Sequence, residues 1–168
     1  MKATIIRPAR PHEGPALTKL TFLSKRTWGY PQTWFDIWRE ELTITAAYIE
    51  KNTVRLAETG GRLSGYYTIL HNREDKMVYG ALIEKGYWLD HIFVSPEFFK
   101  NGIGTRLIHH ACETAFGLGA PSLRVLAEPR AAGFYRKMGA EYMGEFPSNI
   151  PGRTTPYFRL PTGMGEKT

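Results

Sequence analysis

Two glycines, Gly102 and Gly104, lie where a short loop after an apolar strand opens a predicted helix. The first backbone N–H groups of a helix have no partners within it and carry partial positive charge, so they bind phosphate oxygens well. Glycine suits this position because a side chain would hold the phosphate away from the backbone. Lys100 adds a positive charge beside the loop, and Thr105 adds a donor in the first turn. The pattern indicates either a phosphate-binding loop or an ordinary turn between a strand and a helix.

The composition bounds the class of protein. The chain is 42% hydrophobic and 23% charged, which predicts one soluble globular domain over residues 1–168. No apolar run is long enough to cross a bilayer and no signal-peptide core is present, so we expect a cytoplasmic protein without a membrane partner.

The distribution of charged residues and of potential metal ligands indicates which partners to expect. The net charge of +6 comes from Lys and Arg residues that are spread along the chain, which disfavours nucleic acid as a partner. Cys112 is the only cysteine, and His109 and His110 have no ligand partners at metal spacing, so we expect no metal.

The hydrophobic pattern predicts a mixed sheet with helices, an α/β or α+β layered fold. The predicted strands are 3–9, 53–58, 62–70, 77–83, 87–94, 122–127, 141–146 and 156–160. The predicted helical regions are a segment that starts near His12, followed by 32–52, 103–116 and 129–138. The inward face of the second helical region is expected to consist of Trp34, Ile37, Trp38, Leu42 and Ile49.

The segment LDHIFVSPEFFKNGIGTRLIHHA, residues 89–111, resembles the acetyl-coenzyme A-binding motif of the GNAT superfamily of N-acetyltransferases. Val94 and Pro96 match the V-x-P that ends the family's strand, and Gly102 and Gly104 match the G-x-G that opens its helix. Downstream, EPRAAGFYRKMGA resembles the family's second motif, N-x-x-A-x-x-F-Y-x-K-x-G-F. The residues that match it are Ala131, Phe134, Tyr135, Lys137 and Gly139.

The resemblance is specific from about Trp88 to Gly144 and is architectural over the N-terminal part. It implies a GNAT-like fold, in which a central, mostly antiparallel sheet of about six to seven strands is splayed in the middle and has helices on both faces. It also implies acetyl-CoA as the acetyl donor, an amine-bearing acceptor as the second substrate, and a possible homodimer.

The resemblance further implies which residues bind the coenzyme. Backbone groups at the end of the splayed strand would pair with the pantetheine arm, and the glycine loop would hold the diphosphate. The implied residues are Ile92, Phe93, Val94, Lys100, Asn101, Gly102, Ile103, Gly104, Thr105, Glu128, Ala131 and Phe134. Three positions depart from the family: Phe99 replaces a polar residue at the head of the loop, Glu128 replaces an asparagine, and Ala140 replaces the phenylalanine after Gly139, which we interpret as a packing change. We interpret Glu128 as a favourable anion at a helix N-terminus.

Catalytic roles follow from the same resemblance and from strand alternation. Tyr135 matches the family tyrosine that protonates the leaving thiolate, although a plain core aromatic is the alternative. Asp90 shares a strand face with Val94, so it is the candidate base for the acceptor ammonium. A buried, hydrogen-bonded Asp90 without a proton role, a water chain, and His91 on the opposite strand face stay open as alternatives.

Aromatic residues in the early helices are candidates for the acceptor pocket. The predicted substrate-binding residues are Trp28, Tyr30, Trp34 and Trp88. Trp34 and Trp38 are four residues apart, a spacing that is also typical of core packing. Arg153 could meet an acidic substrate group, but an exposed loop arginine is the default expectation. The leading function is thus acetyl transfer to a primary amine, and the alternative is a non-catalytic module that binds CoA or acyl-CoA.

Overall fold

In a computed structural model of the protein, residues 2–163 are described. The strands are β1 Thr4–Pro8, β2 Thr53–Thr59, β3 Arg62–Asn72, β4 Lys76–Val78, β5 Ala81–Ile83, β6 Gly86–Val94, β7 Ser122–Leu126, β8 Glu141–Pro147 and β9 Thr154–Pro161. The helices are α1 Gly14–Arg26, α2 Gln32–Trp38, α3 Ala46–Lys51, α4 Ile103–Gly117 and α5 Ala132–Lys137. Within the described range, none of the helices is long and apolar enough to span a membrane.

Seven strands form one mixed sheet in the order β1-β2-β3-β6-β7-β9-β8, and β4 and β5 form a separate two-stranded sheet. The pairs β1/β2, β7/β9 and β8/β9 are antiparallel, whereas β6/β7 is parallel. A parallel pair needs a crossover connection, which α4 supplies between β6 and β7. The predicted mixed, mostly antiparallel sheet is therefore confirmed.

The prediction of one strand over residues 77–83 is wrong in detail, because this segment forms a hairpin. Strands β4 and β5 pair through Val78↔Ala81, and φ is positive at both residues between them, 51° at Tyr79 and 79° at Gly80. Two consecutive left-handed residues are the geometry of a tight hairpin turn whose twist matches that of the strands. The tyrosine hides this turn from sequence reasoning, because a bulky residue is uncommon at positive φ.

The helical region predicted at 32–52 is interrupted and forms α2 and α3 instead. Thr45 begins α3 by accepting a hydrogen bond from the Tyr48 N–H at 3.0 Å, a standard N-cap. Since α2 ends at Trp38, its buried face is set by Phe35 and Trp38, which are 2% and 3% exposed. The prediction that Ile37 faces inward is wrong, because its side chain is 47% exposed.

The chain forms two compact units, each made of two stretches. The first comprises residues up to Thr68 together with His91–Leu107, and the second comprises Ile69–Asp90 together with residues from Ile108 onward. The core cluster in the first unit consists of Leu17, Leu20, Ile44, Ile49, Val54, Leu56 and Tyr66. In the second unit, a core cluster contains Ile83, Trp88 and Phe146.

Gly65, in the first unit, allows the end of β6 and the first turns of α4 to pack closely against β3. A Cβ at this position would lie 2.9 Å from the Phe93 carbonyl oxygen, 3.0 Å from Leu107 Cδ1 and 3.3 Å from Ile103 Cγ2. Ile103 and Leu107 are both buried in the first turns of α4. The start of α4 is thus positioned against β3 by the missing side chain.

Arg7 and Glu13 tie the first strand to the turn that precedes α1. The Arg7 guanidinium donates to both Glu13 carboxylate oxygens at 2.9 and 2.8 Å and to Glu58 at 2.8 Å. The Arg10 N–H adds a bond to Glu13 at 2.7 Å. These donors, Arg7 first, lower the pKa of Glu13 from 4.5 to about 2.

We expect Gly65→Ala to lower the free energy of unfolding by about 1–3 kcal/mol, because the new methyl group overlaps a backbone carbonyl that cannot rotate away. Thermal unfolding followed by circular dichroism measures the change. Gly117→Ala is the matched control: its Cβ would meet nothing within 4 Å, and alanine is the better helix former. A Gly65→Ala protein as stable as the Gly117→Ala protein would contradict the close approach.

We also expect an acid-dependent contribution from Glu13. Its folded-state pKa is lowered, so the stabilisation is complete above pH 4.5 and is lost as the pH falls toward 2. Glu13→Gln should therefore cost about 1–2 kcal/mol at pH 7, and this difference from the wild type should vanish by about pH 2. Urea titrations at several pH values test this. Glu97→Gln, in an exposed pair with Arg62, should change stability by less than about 0.5 kcal/mol.

Candidate functional site

The loop that follows β6 is fixed to the sheet by backbone hydrogen bonds. The Ser95 N–H donates to the Ser64 carbonyl at 2.8 Å. Residues Pro96–Phe98 then form a 3-10 turn, in which the Phe98 N–H donates to the Ser95 carbonyl at 2.8 Å. The path of the chain into α4 is therefore determined within the first unit.

The backbone between this turn and α4 has an alternating conformation. The φ angle is positive at Lys100 (65°) and Gly102 (77°), with Asn101 between them, and α4 begins at Ile103. Alternation of this kind directs successive N–H groups to one side and forms a concavity for anions. A left-handed lysine costs about 1–3 kcal/mol, and such residues are concentrated at ligand sites. A Cβ at Gly102 would meet no atom within 4 Å, so the space beside it is open.

The predicted phosphate-binding residues differ in exposure. Lys100, Asn101 and Gly102 are exposed, Gly104 and Thr105 are half-buried, and Ile103 is 3% exposed. Ile103 thus has its side chain in the core and can offer a ligand only its backbone N–H. Phe99, the departure from the family at the head of the loop, is 41% exposed.

The end of β6 carries the residues predicted to pair with the coenzyme arm. Ile92, Phe93 and Val94 are half-buried. The Phe93 ring stacks on Tyr66 with centroids 6.0 Å apart. The ladder between β6 and β7 consists of Trp88↔Arg124 and Leu89↔Val125, and residues 92–94 follow these pairs along β6.

The two predicted candidates for a base occupy different surroundings. Asp90 is exposed, so the burial expected in the alternative is wrong, whereas a hydrogen-bonded aspartate without a proton role stays a prediction. His91 packs edge-on against Tyr48, with centroids 5.9 Å apart, and near Phe93 at 6.0 Å. The His91 N–H donates to the Thr68 hydroxyl at 3.0 Å. Because side chains alternate between the two faces of β6, Asp90 is exposed to solvent and His91 packs among aromatic residues of the first unit.

Trp88, predicted to contact the acceptor, is a core residue of the second unit. It is 5% exposed, its Nε1–H donates to the Glu84 carbonyl at 2.9 Å, and its ring stacks on Tyr157 at 5.4 Å. Its polar atom and one ring face are thus engaged, which favours a packing role.

Tyr135 is held in the second unit by aromatic neighbours on α5 and β9. Its ring stacks on Phe158 at 5.7 Å and meets Phe134 edge-on at 5.4 Å, and the residue is 4% exposed. Burial raises the pKa of its phenol, so the proton is retained at neutral pH.

The Tyr135 hydroxyl has no hydrogen bond to another residue in the range 2–163, whereas every fully enclosed side-chain N or O atom in that range has a partner. The hydroxyl therefore keeps some accessible surface. It is an O–H donor held in place by its ring and available to a ligand.

Glu128 and Arg153 form an ion pair in the second unit. Arg153 Nη2 lies 3.3 Å from Glu128 Oε2, and the side chains are 13% and 14% exposed. The expectation of an exposed loop arginine is wrong, because the Pro/Gly loop between β8 and β9 folds Arg153 onto Glu128. Glu128 also makes no side-chain cap hydrogen bond to the helical turn it precedes. Ala131, predicted beside it, is half-buried in that turn.

Aromatic residues of the first unit gather around a lysine. Tyr30 stacks on Trp34 at 5.1 Å, and both lie edge-on to Trp38, at 5.4 and 5.7 Å. Lys25 Nζ lies 4.3 Å from the centre of the Trp38 ring and 6.0 Å from that of Tyr30. We call Tyr30, Trp34 and Trp38 the aromatic cluster. Trp28, also predicted as substrate-binding, is half-buried nearby in sequence.

Sequence reasoning missed two features of this site. Lys25 and its cation–π contact with Trp38 were not predicted, because a lysine thirteen residues before a tryptophan gives no periodic signal in the sequence. The Glu128–Arg153 pair joins residues 25 positions apart, with α5 and β8 between them in sequence. The replacement of the family's asparagine by an acid was the one available hint, because a buried carboxylate needs a compensating cation.

Comparison with known proteins places the chain among acetyltransferases. The family described as Acetyltransferase (GNAT) family is matched by residues 17–140. Peptidyl-lysine N-acetyltransferase YiaC of Escherichia coli (strain K12) is 28% identical over 107 residues, which is 63% of this chain and 63% of that protein. The match thus spans less than two thirds of that relative's length.

Solved structures share the fold. The GCN5-related N-acetyltransferase (aminotransferase, class-II) from Rhodopseudomonas palustris has a TM-score of 0.71 and 18% identity, with 96% of this chain and 98% of that chain covered. A GNAT family acetyltransferase from Brucella melitensis, in complex with acetyl-CoA, has a TM-score of 0.60 and 22% identity, with 96% and 89% covered.

We expect the Glu128–Arg153 pair to show energetic coupling. Glu128→Gln and Arg153→Met should each lower the free energy of unfolding by about 1–3 kcal/mol, because each leaves an opposite charge largely buried. The double variant should lose less than the sum, with a coupling of about 1 kcal/mol or more in denaturant titrations. The exposed pair Glu141–Arg159, 58% and 44% exposed, is the matched control and should couple by less than about 0.5 kcal/mol. Additive effects at Glu128 and Arg153 would contradict the pairing.

Proposed function

We propose a function that starts from the family to which this chain belongs, the GNAT acetyltransferases. In this proposal, the protein transfers the acetyl group of acetyl-CoA directly to a primary amine. Acetyl-CoA supplies an activated acetyl group: its C–S bond breaks as the amine nitrogen bonds to the carbonyl carbon. The protein's residues then have three tasks, which are to hold the coenzyme, to protonate the leaving sulfur and to take up the proton of the acceptor ammonium.

Holding the coenzyme is assigned to backbone groups. The open, alternating backbone at Lys100 and Gly102 and the first N–H groups of α4 suit a diphosphate, and the Lys100 side chain adds positive charge. The backbone of Ile92–Val94, which follows the two-pair ladder along β6, suits the amides of the pantetheine arm. An N–H near Val94 would polarise the thioester carbonyl. Ala131 and Phe134 are assigned to the same arm.

Protonation of the sulfur is assigned to Tyr135, and the observation that carries the catalytic proposal is its buried ring with an available hydroxyl. Tyr135 is protonated, and burial raises its pKa further, so its O–H can donate a hydrogen bond and then its proton to the sulfur as negative charge develops there. The tyrosinate that results takes a proton back from solvent, so the residue is unchanged after one turnover.

The acceptor proton is assigned to Asp90. An exposed carboxylate attracts a cationic amine and can receive its proton through a water molecule. His91 is less suited because its ring packs within an aromatic group. Arg153, a candidate for contact with an acidic substrate group, is engaged by Glu128.

For the acceptor we propose an alkylammonium such as a lysine side chain, in contact with Tyr30 and Trp34. The support is twofold. The aromatic cluster already attracts an alkylammonium, that of Lys25, at 4.3 Å from the Trp38 ring. The relative from Escherichia coli is named as a peptidyl-lysine N-acetyltransferase.

The test is release of free thiol from acetyl-CoA in the presence of amines that include lysine-containing peptides. We expect turnover with wild type and a drop in kcat of about a hundredfold for Tyr135→Phe, the range for loss of a general acid. Tyr142→Phe is the matched control, because this tyrosine is 44% exposed and should leave turnover unchanged. A thermal shift with acetyl-CoA but no thiol release with any amine would favour the non-catalytic CoA-binding module. No thermal shift at saturating acetyl-CoA would refute both functions.

A further inference from the structure

A cavity of about 350 Å³ lies within the second unit, at the end of β3 and the starts of β6 and β7. Its lining includes His71, Asn72, Arg73, Lys85, Tyr87 and Arg124. This volume is at the lower end of the range of about 300–1,000 Å³ for small-molecule pockets. None of these residues has a place in the acetyl transfer proposed above.

The lining is cationic. Arg73 and Lys85 are exposed, and within residues 2–163 neither side chain has a carboxylate partner. Asp75, two residues after Arg73, accepts a hydrogen bond from the Lys85 backbone N–H at 2.7 Å. The third cation, Arg124, lies 3.3 Å from Glu84, so its charge is offset. The cavity therefore presents two uncompensated positive charges and no acidic lining residue.

Asn72 supplies a polar group of a different kind. The residue is only 7% exposed, yet its side-chain amide makes no hydrogen bond to another residue in the described part of the chain. Since every fully enclosed polar side-chain atom there has a partner, the amide must open onto accessible space. Asn72 lines the cavity, which offers its amide such a space. A largely buried amide without a protein partner is a strong indication of a ligand, because leaving it unpaired is unfavourable.

One wall of the cavity is flat. The His71 and Tyr87 rings stack almost parallel, with centroids 4.0 Å apart and an angle of 6° between planes. The stack fixes both rings beside Asn72 and provides an apolar surface for the non-ionic part of a ligand.

We propose that this cavity binds a small molecule that carries an oxyanion, a carboxylate or a phosphate, through the Asn72 amide and the charges of Arg73 and Lys85. The amide N–H donates to the oxyanion, and the two cations hold its charge. This site is additional to the proposed acetyl transfer and does not depend on it.

The experiment is an NMR titration of ¹⁵N-labelled protein without acetyl-CoA at low salt, with inorganic phosphate and succinate as separate probes and glycerol as the uncharged control. We expect saturable shifts of the Asn72 side-chain amide with at least one anion and none with glycerol. Saturation by phosphate alone identifies a phosphate ligand, and saturation by succinate alone identifies a carboxylate ligand. Absence of a response at Asn72 to both anions would overturn the proposal.

Variants separate this cavity from the loop before α4, which also suits phosphate. Arg73→Gln/Lys85→Gln should weaken anion binding about tenfold or more, because it removes both charge-assisted contacts. Lys19→Gln/Lys51→Gln removes the same charge from exposed lysines of the first unit and should change affinity less than about twofold. Asn72→Asp, of equal size, should abolish binding at the cavity while the thermal unfolding midpoint confirms folding. Undiminished binding in the Arg73/Lys85 variant, with shifts confined to residues 99–106, would refute the cavity site.

Discussion

The position of the start of α4 depends on close packing against Gly65, a residue without a side chain. At Gly65 the Phe93 carbonyl and the side chains of Ile103 and Leu107 come within 3.3 Å of the position that a Cβ would take. Ile103 and Leu107 are buried, so packing sets the height of the first helical turn against β3. The same turn carries the N–H groups to which diphosphate binding is assigned. The coenzyme role proposed for the loop therefore rests on a core contact and not on the loop residues alone.

Most of the fold could be predicted from sequence because its determinants are local. Alternating apolar residues predicted the strands of the main sheet, and Gly102 and Gly104 predicted the boundary at which α4 begins. The differences arose where local signals were weak or misleading. The hairpin of β4 and β5 turns at Tyr79, a residue that rarely adopts positive φ. The segment between α2 and α3 contains no proline or glycine that would predict a break in the helix.

The site was predictable in its residue types and less so in its contacts. The matched motifs identified Tyr135 and the glycine loop, whereas the partners of side chains depend on chain segments that meet only in the folded state. Glu128 is expected from sequence to be a helix-terminal anion, and its partner Arg153 comes from a loop that follows α5 and β8. Trp88 was placed by strand alternation on the face of Asp90, but burial of that face changes within two residues, from 5% exposed at Trp88 to exposed at Asp90.

The environment of Tyr135 explains how a weak acid would serve in the proposed reaction. Desolvation disfavours the tyrosinate, so burial between aromatic rings raises the pKa of a phenol that is already protonated at neutral pH. The same burial makes donation harder, and the step becomes favourable only if the accepting group is also poorly solvated and more basic than ordinary solvent. A thiolate that forms inside a protein meets both conditions, whereas bulk water does not. The aromatic surroundings would thus couple proton donation to the moment at which the C–S bond breaks.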